Sequence, residues 1–240
     1  MMIVNAILRT LFILGLALAL TAVPGLAQDQ APEEESESEP IPMAEMGMGG
    51  GGPLGGWMFL DVAELNAALE SADYAPLPDG MLLKGGGGGG GLLKGFRFGG
   101  YGASGEVYSA SGEKRTMLSV GYGGFWLSYG LVSEASYDLA AGVLIGGGGA
   151  TLKLTDHQPE DFEDAIARPA NTILERGYFA LRPDVNVGFQ LLSWISVNVS
   201  GGYLMTFGGD WSHEGTALPG PPASFNTWTV QVMLQFGGRG

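Results

Sequence analysis

The chain has no cysteine, which excludes disulfides, thiol catalysis and thiolate metal sites. Basic residues are scarce as well: 11 Lys+Arg stand against 25 Asp+Glu, a formal net charge of −14. That balance argues against nucleic acid and against an anionic membrane surface as partners. Histidine occurs twice, at His157 and His213, and no catalytic motif is evident. The apolar stretch Leu11 to Leu20 is shorter than the about 20 residues that a membrane helix needs. Stability must come from packing, backbone ladders or lipid.

Glycine, by contrast, is abundant, with 43 residues in 240 against a usual share of about 7%. Four segments follow from composition. Met1 to Ala27 reads as a secretory signal peptide, with Arg9 before the apolar stretch and small Gly25 and Ala27 before Gln28. Residues 28–56 read as a disordered linker, first acidic (Asp29, Glu33, Glu34, Glu35, Glu37, Glu39, Glu45) and then rich in Gly and Met. Residues 57–80 hold an amphipathic helix near Leu60 to Ala72, with Val62, Leu65 and Leu69 on one face and an Asp61/Glu64 capping box, ended by a proline turn. Residues 81–240 form an antiparallel β domain.

The clearest pattern in that domain runs from Tyr178 to Leu191 and from Ile195 to Phe207. Odd positions such as Val185, Val187, Phe189, Val197 and Val199 are apolar; even positions such as Arg182, Asp184, Asn186, Asn198 and Ser200 are polar. Period two over this length means strands with one apolar and one polar face. The phase of the apolar positions flips at Gly123-Gly124, from Leu118, Val120 and Tyr122 to Phe125, Leu127 and Tyr129, and flips again at Gly146 to Gly149. Tight turns at both places would keep every apolar residue on one face. With strands at Leu92 to Gly100 and Asn226 to Phe236, the count reaches eight. Longer polar connections, Tyr101 to Arg115, Ser133 to Ser136, Asp156 to Gly177 and Gly208 to Phe225, alternate with the short turns.

This pattern, from about Leu92 to Phe236, resembles the small outer-membrane β-barrels of Gram-negative bacteria. The resemblance implies an up-and-down barrel of about eight strands whose apolar face meets lipid, with both termini on the short-turn side. It would make Trp126, Trp194, Trp211, Trp228, Tyr203 and Phe207 interfacial girdles. In a soluble β-sandwich or barrel, the alternative, they are core and edge aromatics. The stretch from Asp61 through Leu65, Asn66 and Leu69 to Pro78 and Gly85 to Gly91 also looks like a group of exported bacterial proteins, a likeness that implies no activity.

Glycines 85–91, 99, 100 and 105 are read as a concave surface for the helix or as flexible loops. The run at 85–91 matches Gly-x-Gly-x-x-Gly formally, yet Leu92 to Gly100 reads as strand where a nucleotide fold needs a helix. Candidate metal residues are His157, Asp156 and Asp161 in one long loop and His213 and Glu214 in another; the bland reading is a solvated acidic rim. We therefore expect a non-enzymatic, exported barrel without cofactor. Its expected role is structural, surface-interaction or narrow-pore, with outer-membrane lipid and envelope or self-association partners. The alternative is a periplasmic or secreted β-protein that binds an apolar ligand or self-assembles at the cell surface.

Overall fold

The computed structural model describes residues 47–221 and 225–239; the signal-peptide segment and the acidic part of the linker lie outside them. Eight long strands close an antiparallel up-and-down barrel: β1 (Gly47–Phe59), β2 (Gly80–Leu92), β3 (Phe96–Ser111), β4 (Lys114–Ser133), β5 (Tyr137–Thr155), β6 (Asn171–Leu192), β7 (Ile195–Phe207) and β10 (Thr227–Arg239). Two short strands, β8 (Trp211–His213) and β9 (Thr216–Leu218), make a small hairpin beside β6. Helix α1 (Ala63–Ser71) links β1 to β2, and a short α2 (Phe162–Ala167) lies between β5 and β6.

The expected count of eight is reached by a different route. Gly123-Gly124 and Gly146 to Gly149 are not turns: they sit inside β4 and β5 and pair with each other, Gly123 with Gly147 and Gly124 with Gly146. The expected loop from Tyr101 is strand as far as Ser111, followed by a two-residue turn whose Gly112 has φ 61°. Two strands come instead from glycine-rich segments. Residues 47–56, assigned to the linker from sequence, belong to β1, and the glycine run 85–91 lies in β2. With no side chains to give a period, only backbone hydrogen bonds declare them strands.

Register sets the geometry. A line of paired residues runs Leu139, Val187, Val199, Val232, Gly55, Lys84, Ser104, Gly121, Gly149, and so returns to β5 ten residues above its start. A stagger of ten across eight strands, at about 3.3 Å per residue and about 4.8 Å per strand, tilts the strands by about 40°. One end of the barrel, the turn end, carries the short connections 93–95, 134–136 and 193–194 and both described termini, where Met48 pairs with Arg239. The loop end carries the long connections, α1 and the two-residue turn 112–113; residues 133–136, expected among the longer connections, are instead a short turn at the opposite end.

The phase flips acquire a different cause. Even positions of β5, and of β4 as far as the bulge between Gly130 and Val132, point inward: Leu118, Val120 and Tyr122 are buried toward the loop end, and Ser128 and Asp138 are buried toward the turn end. Odd positions point outward, and there Phe125, Leu127, Tyr129 and Leu131 are exposed. At the loop end apolar side chains face in; at the turn end they face out. The glycines mark the crossover.

Helix α1 closes the loop end. Leu65 and Leu69 are buried in one apolar cluster with Met58, Leu77, Leu83, Leu118, Val120, Leu152 and Trp211. Asn66 clamps the return segment, its Nδ2 donating to the Leu77 carbonyl at 2.9 Å while its Oδ1 accepts from the Leu77 N–H at 2.8 Å. Lys114 Nζ donates to the Ala72 carbonyl at the helix C-terminus, 2.8 Å away. The expected capping box does not form: Val62 holds the N-cap position without a side-chain hydrogen bond. Nor does α1 lie on the glycines. A Cβ at Gly85, Gly87, Gly89 or Gly99 would meet atoms of neighbouring strands first, such as the Gly102 carbonyl oxygen or Tyr101 Cβ.

Candidate functional site

Three regions carry chemistry: the outer belt, the polar interior of the turn end, and the loop rim. The belt is built by β4 to β7 and β10. Phe179, Leu181, Val185, Val187, Phe189 and Leu191 of β6 face outward, beside Val197, Val199, Tyr203, Met205 and Phe207 of β7 and Val230, Val232, Leu234 and Phe236 of β10. At a tilt of about 40°, the rise from Phe189 to Phe179 is about 25 Å, the height of a bilayer's hydrocarbon band on such a barrel.

Aromatic pairs edge this belt on both sides. Phe179 with Phe207 (6.3 Å between ring centroids) and Tyr203 with Trp228 (5.1 Å) lie toward the loop end; Trp194 with Phe236 (6.3 Å) and Phe96 with Tyr129 (5.3 Å) lie at the turn end. Two of the expected girdle residues are elsewhere. Trp126 points into the barrel, and Trp211 is buried against Phe225. Among the described strand residues, Lys84 is the one charge facing outward within the belt; Glu106, Arg115, Lys153 and Glu175 lie at or beyond its loop-end edge. On β1 and β2 the belt continues as bare backbone, with Gly49, Gly51, Gly55, Gly86, Gly88 and Gly90 outward.

Inside the belt the barrel holds a polar network beside the apolar Leu54, Leu144 and Met233. Arg182, fully buried, is paired with Asp184 at 2.6 Å, donates through Nε to Thr229 Oγ1 at 2.6 Å and reaches the Tyr101 hydroxyl at 2.8 Å. Trp126 Nε1 donates to Asp184 Oδ1 at 3.4 Å. Nearer the turn end, Arg97 pairs with Asp138 at 2.5 Å, both side chains almost wholly buried, and donates to the carbonyls of Leu92 and Leu93, so it also ties down the β2–β3 turn. Two glycines make room for these groups. A Cβ at Gly202 would sit 2.7 Å from Arg182 Cζ, and one at Gly188 would sit 2.5 Å from an Asp138 carboxylate oxygen.

Between these pairs and the glycine wall lies a cavity of about 70 Å³, lined by Asn186, Asn198, Ser200, Gln231, Gln235, Tyr101 and Trp126 opposite Gly50 and Gly88 to Gly90. It is a vestibule, because the inward-facing Met48, Asn186, Ser196 and Gln235 remain partly accessible toward the turn end while the apolar cluster fills the other. Sequence reading placed Arg182, Asp184, Asn186, Asn198 and Ser200 on a polar face without assigning them a site. Arg97 and Asp138 were missed. Their signal was a charge alternating with apolar neighbours, Phe96-Arg97-Phe98 and Tyr137-Asp138-Leu139.

The sequence candidates for metal binding lie in the loops at the loop end. His157 Nδ1 is 3.9 Å from Asp156 Oδ2, and His213 Nδ1 is 2.9 Å from the Ile173 carbonyl oxygen. Asp161 caps α2 by accepting from the Asp164 N–H at 2.8 Å. The Arg168 side chain, hydrogen-bonded to Asp164, holds that carboxyl below its ordinary pKa. Glu214 occupies a turn position with φ 49°. Among the described residues no group of three or more His, Asp or Glu side chains is gathered closely enough to hold a metal ion. No protein-family model matches the chain, and no curated protein matches it.

Proposed function

We propose that the chain is an exported barrel of outer-membrane type, seated in lipid by its turn-end half, with a structural or surface-interaction role. The observation that carries this reading is the belt: outward positions that are mostly apolar or glycine on all eight strands, with Lys84 the one charge among the described residues, edged by aromatic pairs, over about the hydrocarbon thickness of a bilayer. A water-exposed protein seldom shows a contiguous apolar surface of this extent. The polar interior behind the belt agrees, since a membrane barrel alternates apolar-out with polar-in. The signal-peptide pattern of Met1 to Ala27 supports export.

Of the narrower roles, a plugged barrel is favoured over a pore, because the apolar cluster and α1 fill the interior at the loop end. The protein then presents α1, α2 and the β8–β9 hairpin on a rigid collar beyond the membrane. A second reading, a soluble barrel that takes an apolar ligand, draws support from a cleft of about 200 Å³ between α1 and the loop end, lined by Leu65, Leu69, Leu152, Leu174 and Trp211. Cell fractionation separates the two. Recovery only with detergent, with migration on a gel that changes on heating, is expected; recovery in the soluble fraction without detergent contradicts the membrane reading.

A further inference from the structure

The vestibule has a defined chemistry. Its charges are cancelled in place, Arg182 by Asp184 at 2.6 Å and Arg97 by Asp138 at 2.5 Å, so nothing in it favours an ion over a neutral molecule. The uncharged polar groups that face the space are carboxamides and hydroxyls, Asn186, Asn198, Ser200, Gln231 and Gln235, beside the apolar Met48, Leu54 and Met233. Asn198 Nδ2 donates to Gln235 Oε1 at 2.9 Å, which leaves the Gln235 amide hydrogens as donors. Side chains that both donate and accept suit hydroxyl groups, which do the same. The Trp126 and Tyr101 rings supply faces for C–H groups.

Size narrows the class. At about 10 to 15 Å³ per water-sized position, about 70 Å³ offers five to seven positions, matching a molecule of about six heavy atoms. The space exists because β1 and β2 bring few side chains to it: apart from Met48 and Leu54, their wall opposite the amides is Gly50 and Gly88 to Gly90. We propose that this vestibule is a binding site for a small neutral polyol, admitted from the turn end. The site is independent of whether the belt faces lipid, so it stands or falls separately from the membrane reading.

Glycerol is a suitable probe, with the indole N–H resonance of Trp126 as the reporter in the folded full-length chain. A saturable shift of that resonance with glycerol is expected, together with loss of the shift in Asn186→Leu, which fills the space. Sodium acetate and methylammonium chloride, ionic probes of similar size, should produce no saturable shift. A shift that grows linearly and equally at all the tryptophans, a saturable shift with either ion, or an Asn186→Leu variant that titrates like the parent overturns the proposal. Should Asn186→Leu not fold, Ser200→Ala, which removes a hydroxyl from the same wall with little change of volume, must weaken the shift for the proposal to survive.

Discussion

Toward the loop end, β4 points Leu118, Val120 and Tyr122 into the barrel and carries Ser119 and Gly121 outside; toward the turn end it points Phe125, Leu127 and Tyr129 outside and carries Trp126 and Ser128 within. Strand β5 carries Ile145 and Val143 outside on the turn-end side of Gly146 to Gly149 and Ala150 and Leu152 inside on the other, although Ala140 and Leu144 also face in beside Asp138. The two halves of one barrel thus carry most of their apolar side chains on opposite faces. The loop-end half is a water-type barrel with an apolar core and a helix to cover it; the turn-end half is an inverted one that keeps its ion pairs inside and its aromatics outside. Glycines lie where the two meet because a large side chain there would suit neither surroundings on at least one face.

Substitutions that exploit this inversion test it, beginning with the largest expected effect. Arg182→Met leaves Asp184 buried without its guanidinium and should cost about 3 to 5 kcal/mol in denaturant unfolding, whereas the combined Arg182→Met, Asp184→Leu change should recover much of that loss. Leu118→Ala, in the loop-end core, should cost about 2 to 5 kcal/mol, while Leu127→Ala, outward in the turn-end half, should cost far less in detergent. Equal costs would erase the distinction between the halves. Val199→Arg, outward at mid-belt, should reduce stability in a bilayer by about 2 to 4 kcal/mol. Ser119→Arg, outward beyond the belt, should stay within about 0.5 kcal/mol. Smallest is Asp161→Ala, which removes the α2 cap; about 1 kcal/mol of local helix stability should go, seen as faster amide exchange in α2 with no change in overall melting.

Much of this was legible in the sequence where side chains alternate. The β6–β7 hairpin and α1 follow from periodicity, whereas the grouping of both β termini at the short-turn end was expected from turns at 123–124 and 146–149 that do not exist. The polarity inversion was visible too, as the phase flips at Gly123-Gly124 and Gly146 to Gly149, but a flip has two physical causes. A turn reverses the chain and keeps the face; a change of surroundings keeps the chain and reverses the face. Local sequence does not separate them, and only the pairing of Gly123 with Gly147 does. Strands β1 and β2 were illegible for a related reason, since a glycine run has no face to show. The ion pairs Arg97–Asp138 and Arg182–Asp184 join β3 to β5 and fix a polar face of β6, and the first depends on a register that no short window contains.

The absence of cysteine makes the central claim directly measurable, because any introduced thiol is the only one in the chain. Single cysteines at 117, 119, 125, 127 and 129, outward positions of β4, can be exposed to a water-soluble maleimide after reconstitution in a bilayer. The inversion predicts rapid labelling at 117 and 119, protection at 125, 127 and 129, and loss of that protection when the bilayer is replaced by denaturant. Equal labelling at all five positions in the bilayer would contradict it.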